Sequence, residues 1–138
     1  MLAYGRDLAW YLRTGRVFIF IASVCGISVI VYSLFRTRGM DEADAGFFML
    51  KIFLFMLVGG KVSGRYHEPV RIAALTGGVT GMVIGLIMAF ARFASLPQAW
   101  TLFNLVTEPV ITGVFGYLLA GLGGIATHHR RSPAVPVS

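Results

Sequence analysis

Long apolar segments alternate with short charged connections along this chain. A run of 19 uncharged residues, 17–35, is bounded by arginine on each side, and so is a run of 20 uncharged residues, 72–91. A third run, 93–129, carries one charged residue, Glu108. Because an α-helix needs about 20 apolar residues to cross the hydrocarbon core of a bilayer, each of these runs is long enough to span a membrane.

The fourth apolar segment, 44–62, is less regular because it contains Lys51. Phenylalanine, leucine and methionine surround this lysine, and such a segment can insert when the ammonium group extends toward the membrane interface. We therefore predict an all-α integral membrane protein. Its four transmembrane helices are expected at about residues 17–36, 44–62, 71–92 and 103–127.

The composition narrows the class of protein further. Hydrophobic residues make up 57% of the 138 positions, charged residues make up 13%, and the mean hydropathy is +0.77. Soluble domains have about 25% charged residues, which help to cover the surface around the core. This chain has too few charges for such a surface, so the composition excludes an ordinary soluble enzyme. Its single cysteine, Cys25, excludes a disulfide-bonded scaffold.

The basic residues are distributed unevenly between the two sides of the predicted bundle. One side holds eight of them: Arg6, Arg13, Arg16, Lys61, Arg65, Arg71, Arg130 and Arg131. The other side holds three: Arg36, Arg38 and Arg92. Because the side richer in lysine and arginine is cytoplasmic, we predict that both termini lie in the cytoplasm of a bacterium or archaeon. This distribution also accounts for the net charge of +6, so membrane lipid is expected as a partner and nucleic acid is not.

The two ends of the chain differ from the spans. Residues 1–16 mix leucine and aromatic residues with three arginines, which predicts a short amphipathic helix lying in the cytoplasmic interface. The end of the chain, 130–138, contains two prolines and is predicted to be a disordered tail.

Small residues recur at every fourth position in the third and fourth spans. The third span carries Ala73, Gly77, Gly81, Gly85 and Ala89, and the fourth carries Thr112, Gly116, Ala120 and Gly124. Small residues at this spacing let helix backbones approach closely in a membrane. We expect these two spans to pack against each other within the chain, and a contact between copies of the chain is the alternative.

Two charged residues fall within the predicted spans. Lys51 and Glu108 lie at similar depths from the same side, and opposite charges in a bilayer are expected to pair. We predict a Lys51–Glu108 pair, with Asn104 and Thr107 nearby. In the alternative, Thr107 caps the fourth helix and Pro109 lies in its first turn, which places Glu108 at the outer interface.

The sequence contains no recognised catalytic motif, and no cofactor or metal ion is expected. The three histidines, His67, His128 and His129, are interpreted as interfacial residues. We expect a non-catalytic protein that acts through helix–helix contacts, either as an accessory or assembly subunit of a membrane complex or as a homo-oligomer. The alternative is a small oligomeric transporter or channel with a polar path near Lys51 and Glu108. A lipid-modifying enzyme that uses His67 or Glu68 is the weakest hypothesis.

Overall fold

The computed structural model describes residues 2–3, 5–35 and 40–131 and consists almost entirely of four helices. Two short antiparallel strands, β1 (Leu2–Ala3) and β2 (Arg6–Asp7), precede them. The helices are α1 (Leu8–Phe35), α2 (Met40–Arg65), α3 (Val70–Ser95) and α4 (Ala99–Arg131). Each contains a segment long and apolar enough to cross a membrane, so the prediction of four such helices is confirmed.

Each helix begins before its predicted span, most clearly at the N-terminus, and α2, α3 and α4 also end after theirs. Residues 8–16 form the first part of α1 and do not form a separate helix. The backbone N–H of Trp10 donates to Asp7 Oδ1 at 3.0 Å, so Asp7 caps the first turn. No proline interrupts the helix after this cap. Gly15 lies within the helix, where a Cβ atom would collide with the Thr80 side chain.

The structure also differs from the prediction of a disordered tail at 130–138. Helix α4 extends through Arg131, so the first two residues of the predicted tail are helical. The remainder of that tail, 132–138, lies outside the described residues, as do residues 36–39 of the first connection.

Helices α3 and α4 run antiparallel and touch along their backbones. The contacting pairs are Gly77–Gly116, Gly81–Thr112 and Gly85–Glu108. From one pair to the next, the position moves four residues forward along α3 and four residues backward along α4. In each pair, a Cβ atom on the α3 glycine would collide with the α4 carbonyl oxygen. The glycine hydrogen at this position points at that oxygen instead, in the arrangement of a weak Cα–H···O contact.

Helices α2 and α4 run parallel and use the same row of small residues on α4. The contacting pairs are Phe55–Gly116, Gly59–Ala120 and Ser63–Gly124. The row from Thr112 to Gly124 therefore lies where α2, α3 and α4 meet. Because these positions are buried, neither predicted stripe remains on the surface of the bundle.

Helix α1 packs against α2 and α3 along one narrow face. Its Gly15 lies against Thr80, and its Gly26 lies against Met88 and Phe47. Ala22, on the same face, is completely buried. Only 11% of the most apolar part of α1 is buried, compared with 61% for α3, so α1 is peripheral and α3 is central.

The end of the bundle that contains the start of α1 and the end of α4, here called the termini end, is held by polar contacts between segments. Arg6 pairs with Glu68 in the α2–α3 turn. The Lys61 ammonium donates to the Thr14 carbonyl at 3.3 Å, and Arg131 donates to the Gly64 carbonyl at 2.5 Å. These bonds connect the N-terminal segment and the end of α4 to the end of α2 and to the α2–α3 turn. The other end of the bundle, here called the opposite end, is more open.

Candidate functional site

Three adjoining cavities occupy the opposite end of the bundle. The first, called the mouth, has a volume of about 410 Å³ and lies between all four helices, with Asp44, Arg92 and Asn104 in its wall. The second, called the polar cavity, has a volume of about 260 Å³ and shares Arg92 and Asn104 with the mouth. Its lining residues are Lys51, Arg92, Asn104, Thr107, Glu108, Ile111 and Thr112.

The third cavity, called the apolar groove, lies along the boundary between α2 and α4. It has a volume of about 70 Å³ and shares Lys51, Ile111 and Thr112 with the polar cavity. The remaining lining residues are Phe48, Ile52, Phe55, Phe115 and Leu119. The cavities thus change from polar to apolar with distance from the opposite end.

Glu108 lies inside α4, about nine residues after its first residue. Thr107 does not cap a helix, because its hydroxyl donates to the Phe103 carbonyl one turn earlier, at 3.3 Å. Pro109 is also within the helix, where it leaves the Leu105 carbonyl without its usual backbone donor. The alternative in which α4 begins near Thr107 is therefore excluded.

The cation closest to Glu108 is Arg92 of α3. Arg92 Nη1 lies 3.7 Å from Glu108 Oε1, and Glu108 Oε2 is buried without a hydrogen-bond partner. Glu108 is level with Gly85, so the Arg92 backbone lies about 10 Å farther toward the opposite end and its side chain extends back along the bundle. Among the described residues, this is one of two ion pairs with nitrogen and oxygen atoms within 4.0 Å, and the other is Arg6–Glu68.

Lys51 lies in the same cavity as Glu108 but contacts aromatic rings. Its Nζ atom is 4.9 Å from the centre of the Phe47 ring and 5.9 Å from that of Phe48, which are cation–π distances. The structure therefore brings both members of the predicted Lys51–Glu108 pair to one site, where Arg92 makes the direct ion pair. Asn104 and Thr107 line this site too.

Sequence reasoning placed Arg92 only at the edge of the third span and did not include it in the site. Its position one turn before the end of α3 is the signal that was available, because a long side chain there can extend back toward a carboxylate on a neighbouring helix. The contact of α2 with the small residues of α4 was also missed. In α2 this spacing is short: it covers only the pairs Gly59–Ser63 and Gly60–Gly64 near the end of the helix.

The histidines lie away from this site. His67 is in the α2–α3 turn, with a positive φ of 54°, and its Nδ1 atom lies 2.9 Å from Arg131 Nη1. His128 and His129 are exposed near the end of α4. Within the described part of the chain, histidine, cysteine, aspartate and glutamate form no group of three or more that is suited to a metal ion.

Comparison of the chain with protein-family models, curated proteins and solved structures found no match. The chemistry of the site is therefore considered from its own groups. The polar cavity is lined by two basic residues, Lys51 and Arg92, and one carboxylate, Glu108. Buried Phe55, which is 2% exposed, forms part of the wall of the apolar groove. This arrangement is suited to holding a small polar or anionic group rather than to activating a nucleophile.

Proposed function

We propose that this chain is a non-catalytic protein of the cell membrane that works within a larger assembly, as an accessory or assembly subunit or as a homo-oligomer. The membrane location is supported by the four long apolar helices. The termini end carries the eight basic residues described above, which supports a cytoplasmic position for both termini.

The observation that carries this proposal is the charged polar cavity on an otherwise apolar surface. The Arg92 side chain is 42% exposed, and large apolar side chains such as Val106 and Ile111 are exposed beside the cavity. Charged groups that face lipid are costly, so they are usually covered by protein or line a site. A partner helix packed against the exposed face of α4 around Val106, beside this cavity, provides this cover.

Site-specific photocrosslinking in native membranes tests this proposal. A photoreactive residue at Ile111, which is 57% exposed beside the polar cavity, is compared with one at Leu86, which is 43% exposed on α3. We expect a protein adduct at position 111 and lipid adducts alone at position 86. An adduct of twice the 15.0 kDa chain mass indicates a homo-oligomer, and an adduct with another identified membrane protein indicates an accessory subunit. Lipid adducts alone at both positions contradict the assembly role.

A second candidate, a small oligomeric transporter or channel, is favoured by the polar lining of the mouth and of the polar cavity. The lining becomes apolar beyond Lys51, where Phe55 is buried, so a complete polar path requires a second copy or another conformation. Flux of ions across vesicles that contain the purified protein tests this function. Lys51→Met is expected to change the flux, whereas Arg71→Gln, which removes an exposed charge at the termini end, is expected to leave it unchanged. Equal flux in vesicles with and without the protein contradicts transport of the ions tested.

A further inference from the structure

We propose that the polar cavity binds the phosphate group of one membrane phospholipid, whose acyl chain enters the apolar groove. This proposal rests on the membrane location proposed above but not on assembly with a partner. Three observations support it: the charge of the cavity, its continuity with the groove, and an unsatisfied oxygen atom on Glu108.

The charge of the polar cavity favours an anion. Lys51 and Arg92 provide two cations, and Glu108 provides one carboxylate. Glu108 engages Arg92 through Oε1, whereas the Lys51 ammonium contacts only aromatic rings among the contacts described above. A phosphate oxygen is the type of acceptor that a lysine ammonium and an arginine guanidinium both bind through charge-assisted hydrogen bonds. Asp44, which also acts electrostatically on Lys51, lines the mouth and not the polar cavity.

The shape of the site favours an amphiphile over a free anion. The apolar groove begins at Lys51, where the polar cavity ends, and Phe48 and Phe115 form part of its wall, with their rings in edge contact and ring centres 6.1 Å apart. Both residues are 43% and 45% exposed on the outer surface of the bundle, so separation of their two rings opens the groove sideways. A chain attached to a phosphate in the polar cavity can then enter the groove from the surrounding lipid.

The remaining carboxylate oxygen gives the headgroup a further contact. Glu108 Oε2 is buried and lacks a hydrogen-bond donor. Leaving a buried acceptor unsatisfied is costly, so a donor at this position stabilises the site. The hydroxyl or ammonium group of a phospholipid headgroup provides such a donor next to its phosphate.

Native mass spectrometry of the delipidated protein in a neutral detergent tests the proposal with three probes. Phosphatidylglycerol contains both the phosphate and the acyl chains, diacylglycerol with the same chains lacks the phosphate, and glycerol phosphate lacks the chains. We expect one phosphatidylglycerol molecule to bind each chain and both partial probes to bind at least about tenfold more weakly. Diacylglycerol that binds equally well contradicts a phosphate site. Glycerol phosphate that binds equally well contradicts the lipid as the source of the phosphate.

Variants locate the binding to the polar cavity. Lys51→Met is expected to weaken phosphatidylglycerol binding by about tenfold, and Lys51→Arg, which keeps the charge, to retain most of it. Arg71→Gln is the matched control, because it also removes one positive charge but lies exposed at the termini end. Equal weakening by Lys51→Met and Arg71→Gln contradicts the proposal. Thermal unfolding of each variant separates loss of binding from loss of fold, and alkaline extraction of native membranes tests the membrane location independently.

Discussion

Helix α4 makes two boundaries of different kinds with the same row of small residues. Against α3, the backbones touch from Gly77 to Gly85 and leave no room for a Cβ atom. Against α2, close contact is made around Gly59, and toward the opposite end the boundary holds the apolar groove and the polar cavity. The difference arises from the side chains of α2 and α3, since α4 contributes small residues to both boundaries.

Side-chain size on α2 and α3 accounts for this difference. Helix α3 presents glycine at every fourth position, so the two backbones stay close for two turns. Helix α2 presents Phe55, Ile52, Lys51 and Phe48 toward the opposite end, and these side chains line the groove. Helix α4 therefore packs closely against α3 and borders the cavities on its α2 side, because only α3 continues the small-residue pattern.

The largest effect is expected from closing the space at Gly77. Gly77→Ala places a Cβ atom against the Gly116 carbonyl and the Ala120 side chain, so we expect a loss of about 1–3 kcal/mol in the free energy of unfolding. Unfolding in detergent micelles, followed by circular dichroism, measures this loss. The adjacent Gly78→Ala is the matched control, because its Cβ atom meets its nearest neighbour at an ordinary 3.5 Å. Equal loss in both variants contradicts the backbone contact as the cause.

A smaller effect is expected from removing the ion pair in the polar cavity. Glu108→Gln leaves Lys51 and Arg92 without their shared carboxylate, and we expect it to reduce the free energy of unfolding by about 1 kcal/mol. A double-mutant cycle with Arg92→Gln isolates the interaction between these two residues. Additive effects of the two substitutions indicate that the 3.7 Å contact contributes nothing to stability.

Water access is expected to differ between the cavity and the outer face of the same helix. In a Cys25→Ala background, Asn104→Cys lines the mouth and the polar cavity, so a charged thiol reagent added to intact cells is expected to modify it. Val110→Cys, on the exposed apolar face of α4, is expected to react much more slowly. Thr127→Cys, at the termini end, is expected to react only after the cells are opened. Reaction of Thr127→Cys in intact cells contradicts the cytoplasmic orientation of the termini.

The smallest effect is expected at the termini end. Arg6→Gln removes an ion pair whose arginine side chain is 43% exposed, so we expect a change of a few tenths of a kcal/mol, and less at high salt. Unfolding measured at low and high ionic strength checks this expectation. A loss comparable to that of Gly77→Ala shows that the polar contacts at this end contribute as much as the α3–α4 boundary.

The number of helices and the α3–α4 contact could be predicted because each is indicated by a pattern within a single segment of the sequence. Hydropathy marks each long apolar run, and glycine at every fourth position marks one face of a helix. The continuity of residues 8–16 with the following span was not predicted, because amphipathic composition does not show whether a helix ends before that span. Arg92 was missed because its role depends on where α3 lies relative to Glu108, and spacing along one helix does not contain this information.

The row of small residues on α4 also determines which helices can move relative to one another. Moving α4 relative to α3 requires two backbones to separate over two turns, so we expect these helices to move as one body. On α2, close backbone contacts with α4 are made at Met56, against Gly123, and at Gly59, against Ala120. The part of α2 that precedes Met56 carries Lys51 and lines the cavities. Any widening or narrowing of the polar cavity is therefore expected to come from this part of α2 swinging about the turn from Met56 to Gly59.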